Sequence, residues 1–187
     1  MDIYMMKGAL FVHMVEFAQR ELGETTVERE MLRLNLESGA AYTSVGMYPF
    51  SEFERLHHAF AEAMQITADD FSRRFGCRTL PLLVAGHAIP PDMHPFDFLE
   101  KVHGVIHQDV RKLYKDSNPP SVQVVERQGE QRLVLRYESQ RPMAAFCGGM
   151  LEATMDTFGC GDIYRIERID AEPRTERFAE FVVDLVT

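Results

Sequence analysis

The chain has 187 residues, of which 45% are hydrophobic and 26% charged, so it is long enough for one self-sufficient core and too apolar to be disordered. Acidic residues outnumber basic ones 29 to 20, a net charge of −9, which argues against nucleic acid and against anionic membrane surfaces as partners. No apolar run approaches the roughly 18 residues of a spanning helix, and the N-terminal stretch, broken by His13 and Glu16, does not read as a signal peptide.

Three widely spaced cysteines, Cys77, Cys147 and Cys160, form no C-x-x-C pair and no disulfide framework, which points to a reducing, cytoplasmic setting. Eleven Met and thirteen Phe without Trp make a soft interior that suits either an ordinary core or a bound apolar ligand.

In chain order, the first half reads as helices. Gly8–Glu21 is amphipathic, with Leu10, Phe11, Met14 and Phe17 on one side. Thr25–Leu36 opens on the capping-box pattern Thr25-x-x-Glu28, and Ser51–Met64 starts on a capping serine. Thr67–Phe75 opens with Thr-x-x-Asp and is expected to stop at Gly76. Ile89-Pro-Pro-Asp-Met-His-Pro95 is a loop. Phe96–Lys115 is the longest helix, with Leu99, Val102, Ile106, Val110 and Leu113 at steps of three and four, ended by Asn118-Pro-Pro120.

The period then changes to two. Val122 and Val124 mark one strand, a turn falls at Gln128-Gly129, and Leu133, Leu135 and Tyr137 alternate on the next. Pro142 begins a helix that Gly159 closes, and strands at 163–169 and 178–185 follow. Helices first and a mostly antiparallel four-stranded sheet with packed helices later make an α+β domain.

Two constellations carry chemistry. In Tyr137-Glu-Ser139-Gln-Arg141, positions two apart share a strand face if the strand stays extended to Pro142. A phenol, a hydroxyl and a guanidinium at one spot would clamp a carboxylate; alternatively, the strand end frays and Arg141 pairs with a surface acid. His103-Gly-Val-Ile-His107 places two imidazoles at i and i+4. They could share a metal ion, divide into one packed and one solvated residue, or supply one axial ligand to a haem iron.

These residues resemble the haem-nitric oxide/oxygen-binding (H-NOX, HNOB) family, the sensor module related to the haem domain of soluble guanylate cyclase. The similarity runs from Met6-Lys-Gly8 to the last strand, and its most specific element is Tyr137-x-Ser139-x-Arg141. The resemblance implies that this triad holds the propionates of haem b (iron protoporphyrin IX). It further implies that His107, about a dozen residues ahead of Pro119-Pro120, is the axial iron ligand rather than His103, and that Pro120 presses on the ring. Leu10, Met14, Phe146 and Met150 then match pocket-lining positions, with Phe146 standing where oxygen-binding members carry a tyrosine donor. Each of these four would also serve as plain helix core.

The implied function is a sensor, not an enzyme. It would bind NO and CO at ferrous haem, bind O₂ poorly, and signal to a separate sensor histidine kinase or diguanylate cyclase. Thr79 is the polar residue that would most weaken the O₂ expectation. The whole chain, 1–187, is expected to be a single haem-binding domain with a helical distal part over about 6–90 and a proximal helix-and-sheet part over about 91–187, haem lying between them. In the family picture, NO weakens the iron–His bond and lets the two parts rotate. Cys147 and Cys160 are too few for the zinc site some members carry, so none is expected. The competing readings are a haem-free small-molecule or protein-interaction module of the same fold, and a hydrolytic metal site at His103/His107.

Overall fold

The structure is a computed structural model and describes residues 4–85, 89–90, 92–101 and 118–186. The chain divides into two compact units, 1–75 and 76–187.

The first unit is built on helices α1 (Gly8–Leu22), α2 (Glu24–Leu34) and α3 (Phe50–Ala63), with the start of α4 (Ala68–Val84). Phe11, Met14, Phe17 and Ala18 are the buried face of α1; Leu10 is only half-buried. Phe11 stacks on Tyr42 at 4.5 Å and meets Phe53 edge-on at 5.2 Å, while Phe17 meets Phe71 at 5.3 Å. Aromatic pairs at these separations add attraction beyond their buried area.

Two strands too short to show any period, β1 (Met5–Lys7) and β2 (Met47–Pro49), pair antiparallel ahead of α1. Gly8 is required where they meet the helix, because a Cβ there would overlap the Thr43 carbonyl. The Glu52 carboxylate, buried on α3, accepts from Ser38 N–H at 3.0 Å, Ser38 Oγ at 2.5 Å and Tyr42 Oη at 2.9 Å. These bonds hold it ionised below the usual carboxylate range against its own burial, and they pin the loop after α2.

Helix starts depart from expectation in two places. Thr25 lies inside α2, which follows Gly23, and α3 begins at Phe50 after Pro49; neither start has a side-chain cap. At α4 the expected box is present: Asp70 N–H donates to Thr67 Oγ1 at 3.0 Å. Gly76, however, does not end the helix. A Cβ there would overlap the Phe146 carbonyl, so this glycine permits a close backbone approach.

The second unit carries α5 (Pro95–Lys101), strands β3 (Ser121–Gln128), β4 (Arg132–Glu138), β5 (Tyr164–Arg168) and β6 (Phe178–Leu185), and α6 (Ala144–Thr157). The four strands form an antiparallel sheet in the order β3-β4-β6-β5, which makes the protein α+β. Leu133, Leu135 and Tyr137 lie opposite Val183, Phe181 and Ala179, giving one apolar face. Helix α6 packs there, with Gly148 close over the Phe181 ring. The other face alternates Val134 and Val182 with the ion pairs Arg132–Asp184 and Arg136–Glu180, at 2.9 and 2.8 Å. Among the described residues, no helix is long and apolar enough to cross a membrane.

Candidate functional site

Strand β4 ends at Glu138, short of the extension to Pro142 that the alternation of Tyr137, Ser139 and Arg141 required. The three residues are brought together by a bend instead. Arg141 N–H donates to Ser139 Oγ at 3.0 Å, and Tyr137 Oη donates to the Arg141 carbonyl at 3.2 Å. The serine hydroxyl stands in for a ladder partner and turns the chain back on itself.

Tyr137 is buried between Val122 and Ala179, and burial pushes its phenol well above the usual range, so it stays a neutral donor. Burial likewise lowers the Arg141 guanidinium from the usual arginine range. Its Nη1 donates to the Asn118 carbonyl at 2.6 Å, and Asn118 Nδ2 donates to Gln140 Oε1 at 2.9 Å. These two bonds lash the half-buried Pro119-Pro120 segment to the bend just before β3 begins. Ser139 N–H is held by the Arg177 carbonyl at 2.9 Å. The outcome is a partly buried set of donors, phenol, hydroxyl and guanidinium, whose chemistry matches a carboxylate.

Helix α6 starts three residues beyond Arg141 and carries Phe146, buried, and Met150, half-buried, one turn apart. Neither side chain has an N–H or O–H. Cys147 beside them is enclosed, and burial pushes its thiol up to about 12, so it is inert as a nucleophile. Cys77 Sγ donates to the Gly149 carbonyl at 3.2 Å, and Thr79 on α4 is fully buried. Leu10 and Met14 lie one turn apart on α1 in the first unit. His103 and His107 fall outside the described residues. Among the described residues, no group of three or more His, Cys, Asp or Glu is arranged to hold a metal ion.

Sequence reasoning missed Asn118 and Arg177. Arg177 acts through its backbone carbonyl, and Asn118 reaches Arg141 through its own carbonyl, contacts that leave no trace in residue type.

No curated protein matches the chain. Among solved structures, the chain is similar to an H-NOX from Shewanella woodyi, solved in the Fe(II)CO ligation state with IWP-051 bound. The two are 28% identical over 97% of this chain and 95% of that one, with a TM-score of 0.76. An H-NOX protein from K. algicida in the Fe(II) unliganded state is 24% identical, covers 97% of both chains and gives a TM-score of 0.83. One from S. oneidensis in the Fe(II)NO state is 20% identical, over 97% of this chain and 100% of that one, with a TM-score of 0.79. These last two speak for the fold alone. The family model described as Haem-NO-binding matches residues 7–161. The chain therefore belongs to the haem-NO-binding (H-NOX) family, a family of haem-based gas sensors.

Proposed function

We propose that the whole chain is one haem-binding sensor domain that holds haem b, responds to NO and CO, binds O₂ poorly, and has no catalytic role of its own. The observation that carries this reading is the convergence of Tyr137, Ser139 and Arg141 at the end of β4, with Asn118 bonded to Arg141. That donor set fits a group bearing two acid side chains. Arg141 offers a planar fork to one carboxylate, and Tyr137 and Ser139 each have a hydroxyl that can turn from its backbone partner to an incoming oxygen. His107 would ligate the iron in this proposal, and Pro120 would pack on the ring.

Bound haem supplies a ferrous iron at which NO, CO and O₂ compete, O₂ alone leaning heavily on a nearby hydrogen-bond donor. Leu10, Met14, Phe146 and Met150 offer none, which supports a preference for NO and CO. The partner is a separate protein, a sensor histidine kinase or a diguanylate cyclase, and the setting is the cytoplasm.

The test is the absorption spectrum of the purified, haem-reconstituted protein. A Soret band that shifts when NO is added to the ferrous form, and that is lost in His107→Gly but kept in His103→Gly, is expected. The opposite pattern would transfer the ligand role to His103. A folded protein that takes up no haem would overturn the reading.

A further inference from the structure

The loop between β5 and β6 is tied to α6 and to Arg168 by the Glu176 carboxylate, and to the clamp by the carbonyl of the next residue, Arg177. Helix α6 begins without a side-chain cap from Met143, so its first N–H groups need outside partners. Both come from Glu176. Its carbonyl accepts from Ala144 N–H at 3.0 Å, and its Oε2 accepts from Ala145 N–H at 2.6 Å. A carboxylate at this end of a helix is also favoured by the helix dipole.

Glu176 is in turn gripped by Arg168 at 2.5 Å, through its other oxygen. The same guanidinium bonds both oxygens of the buried Asp170, at 2.7 and 3.1 Å, and the carbonyls of Thr175 and Phe178, at 2.6 and 3.0 Å. Arg168 thereby fixes both ends of the loop. The residue after Glu176, Arg177, gives its carbonyl to Ser139 N–H at 2.9 Å. One short stretch thus holds the middle of the Tyr137–Ser139–Arg141 bend and the start of the helix that carries Phe146 and Met150. Glu176 is also among the charges that act on the Tyr137 phenol.

We propose that Glu176, locked by Arg168, is the positioning residue of this clamp: it sets the bend that presents Ser139 and Arg141, and it fixes α6 to the same frame. The clamp's role as a propionate site rests on the haem reading above; the mechanical link does not.

Two readouts on the full chain separate these layers. The first is amide hydrogen exchange of Ser139 and Arg141, followed by NMR without haem. The second is haem loss from the loaded protein to an excess of apomyoglobin, well below the unfolding temperature. Glu176→Ala is expected to raise both rates by about tenfold or more, as supporting residues around a bound group commonly do. Glu176→Gln keeps one acceptor, for Ala145, but turns an amide N–H2 toward Arg168, and is expected to fall between the unmodified protein and Glu176→Ala. Val182→Ala, a cavity on the ion-paired face of the sheet, serves as a control for general destabilisation and is expected to leave both rates unchanged. If Glu176→Ala does not fold, Arg168→Lys, which keeps the charge but loses the fork, should raise the same two amide rates.

Exposure of Ala144 and Ala145 alone, with Ser139 and Arg141 still protected, would reduce Glu176 to a helix cap and overturn the proposal. So would equal effects in Glu176→Ala and Val182→Ala. A chain that takes up no haem, yet loses protection at Ser139 and Arg141 in Glu176→Ala, would uphold the positioning role and remove the cofactor reading instead.

Discussion

The backbone N–H of Phe96 donates to His94 Nδ1 at 3.1 Å, so an imidazole caps the start of α5. Because Nδ1 accepts, Nε2 carries the hydrogen of the neutral ring and donates to Tyr164 Oη at 3.2 Å. Tyr164 passes its own hydrogen to the Glu130 carbonyl in the β3–β4 turn, at 2.8 Å. Arg127 closes the other side, 2.7 Å from Asp97 and 3.1 Å from Glu100. Replacing His94 with Ala removes the cap and a partner of Tyr164, and is expected to cost about 1–2 kcal/mol in urea unfolding. Asn, whose amide oxygen can accept from Phe96, should recover about half of that. Equal losses in both variants would show that the ring's bulk, not its nitrogen, matters.

The contrast between Thr67 and Gly76 shows what was legible in the residues. Thr67-x-x-Asp70 is a local pattern with a local cause, and the helix starts there. Gly76 carries two meanings, helix end or close approach, and only the position of the Phe146 carbonyl decides between them. Strand β6 was legible over its full length because Ala179, Phe181 and Val183 alternate against a buried face. Strands β1 and β2, three residues each, are too short to have a period. At the candidate site, the residues of the triad were legible but the geometry was not. The pleat ends at Glu138, and the hydroxyl of Ser139 makes the turn that gathers them.

The clamp should respond to the shape of the donor as well as to its charge. Arg141→Lys keeps the positive charge but loses the planar fork that reaches the Asn118 carbonyl. Its haem is expected to dissociate about tenfold faster or more. Tyr137→Phe keeps the buried ring and loses a single hydroxyl, and should have the smaller effect. Haem transfer to apomyoglobin ranks the two variants, and a larger loss in Tyr137→Phe would contradict the assignment of Arg141 as the principal anchor.

In the proposed reading, the gas preference turns on Phe146. Its ring is buried on α6, and a hydroxyl at the ring tip is the smallest change that adds a donor. The reduced protein is expected to give no stable oxygen complex in air, while Phe146→Tyr should give one that persists long enough for a spectrum. Affinity for CO, which leans little on such a donor, should change far less. A stable oxygen complex in the unmodified protein would point to another donor, for which Thr79 is the first candidate to replace with Val.

His57 gives the fold an acid limit. Its Nε2 lies 2.7 Å from Ser72 Oγ, and Phe71 meets the ring edge-on at 5.0 Å. Burial first, and the neighbouring His58 second, lower its pKa to about 4, against a bond with the Ala68 backbone that opposes the shift. In the unfolded chain an imidazole titrates near about 6.5. Between those values the unfolded state binds the extra proton, so the contribution of His57 is fully present above about pH 6.5 and is lost as the pH falls toward about 4. The slope is bounded by one proton, about 1.4 kcal/mol per pH unit. Glu30, Glu52, Asp97 and Asp170, all held below the usual carboxylate range, act in the same direction but at lower pH. Urea unfolding at pH 7, 6 and 5 isolates the histidine. His57→Gln, which can still accept from Ser72 but does not titrate, should flatten the dependence across that window. Parallel curves for the two proteins would mean that His57 becomes charged in the fold without penalty, and the half-buried neutral ring would have to be abandoned.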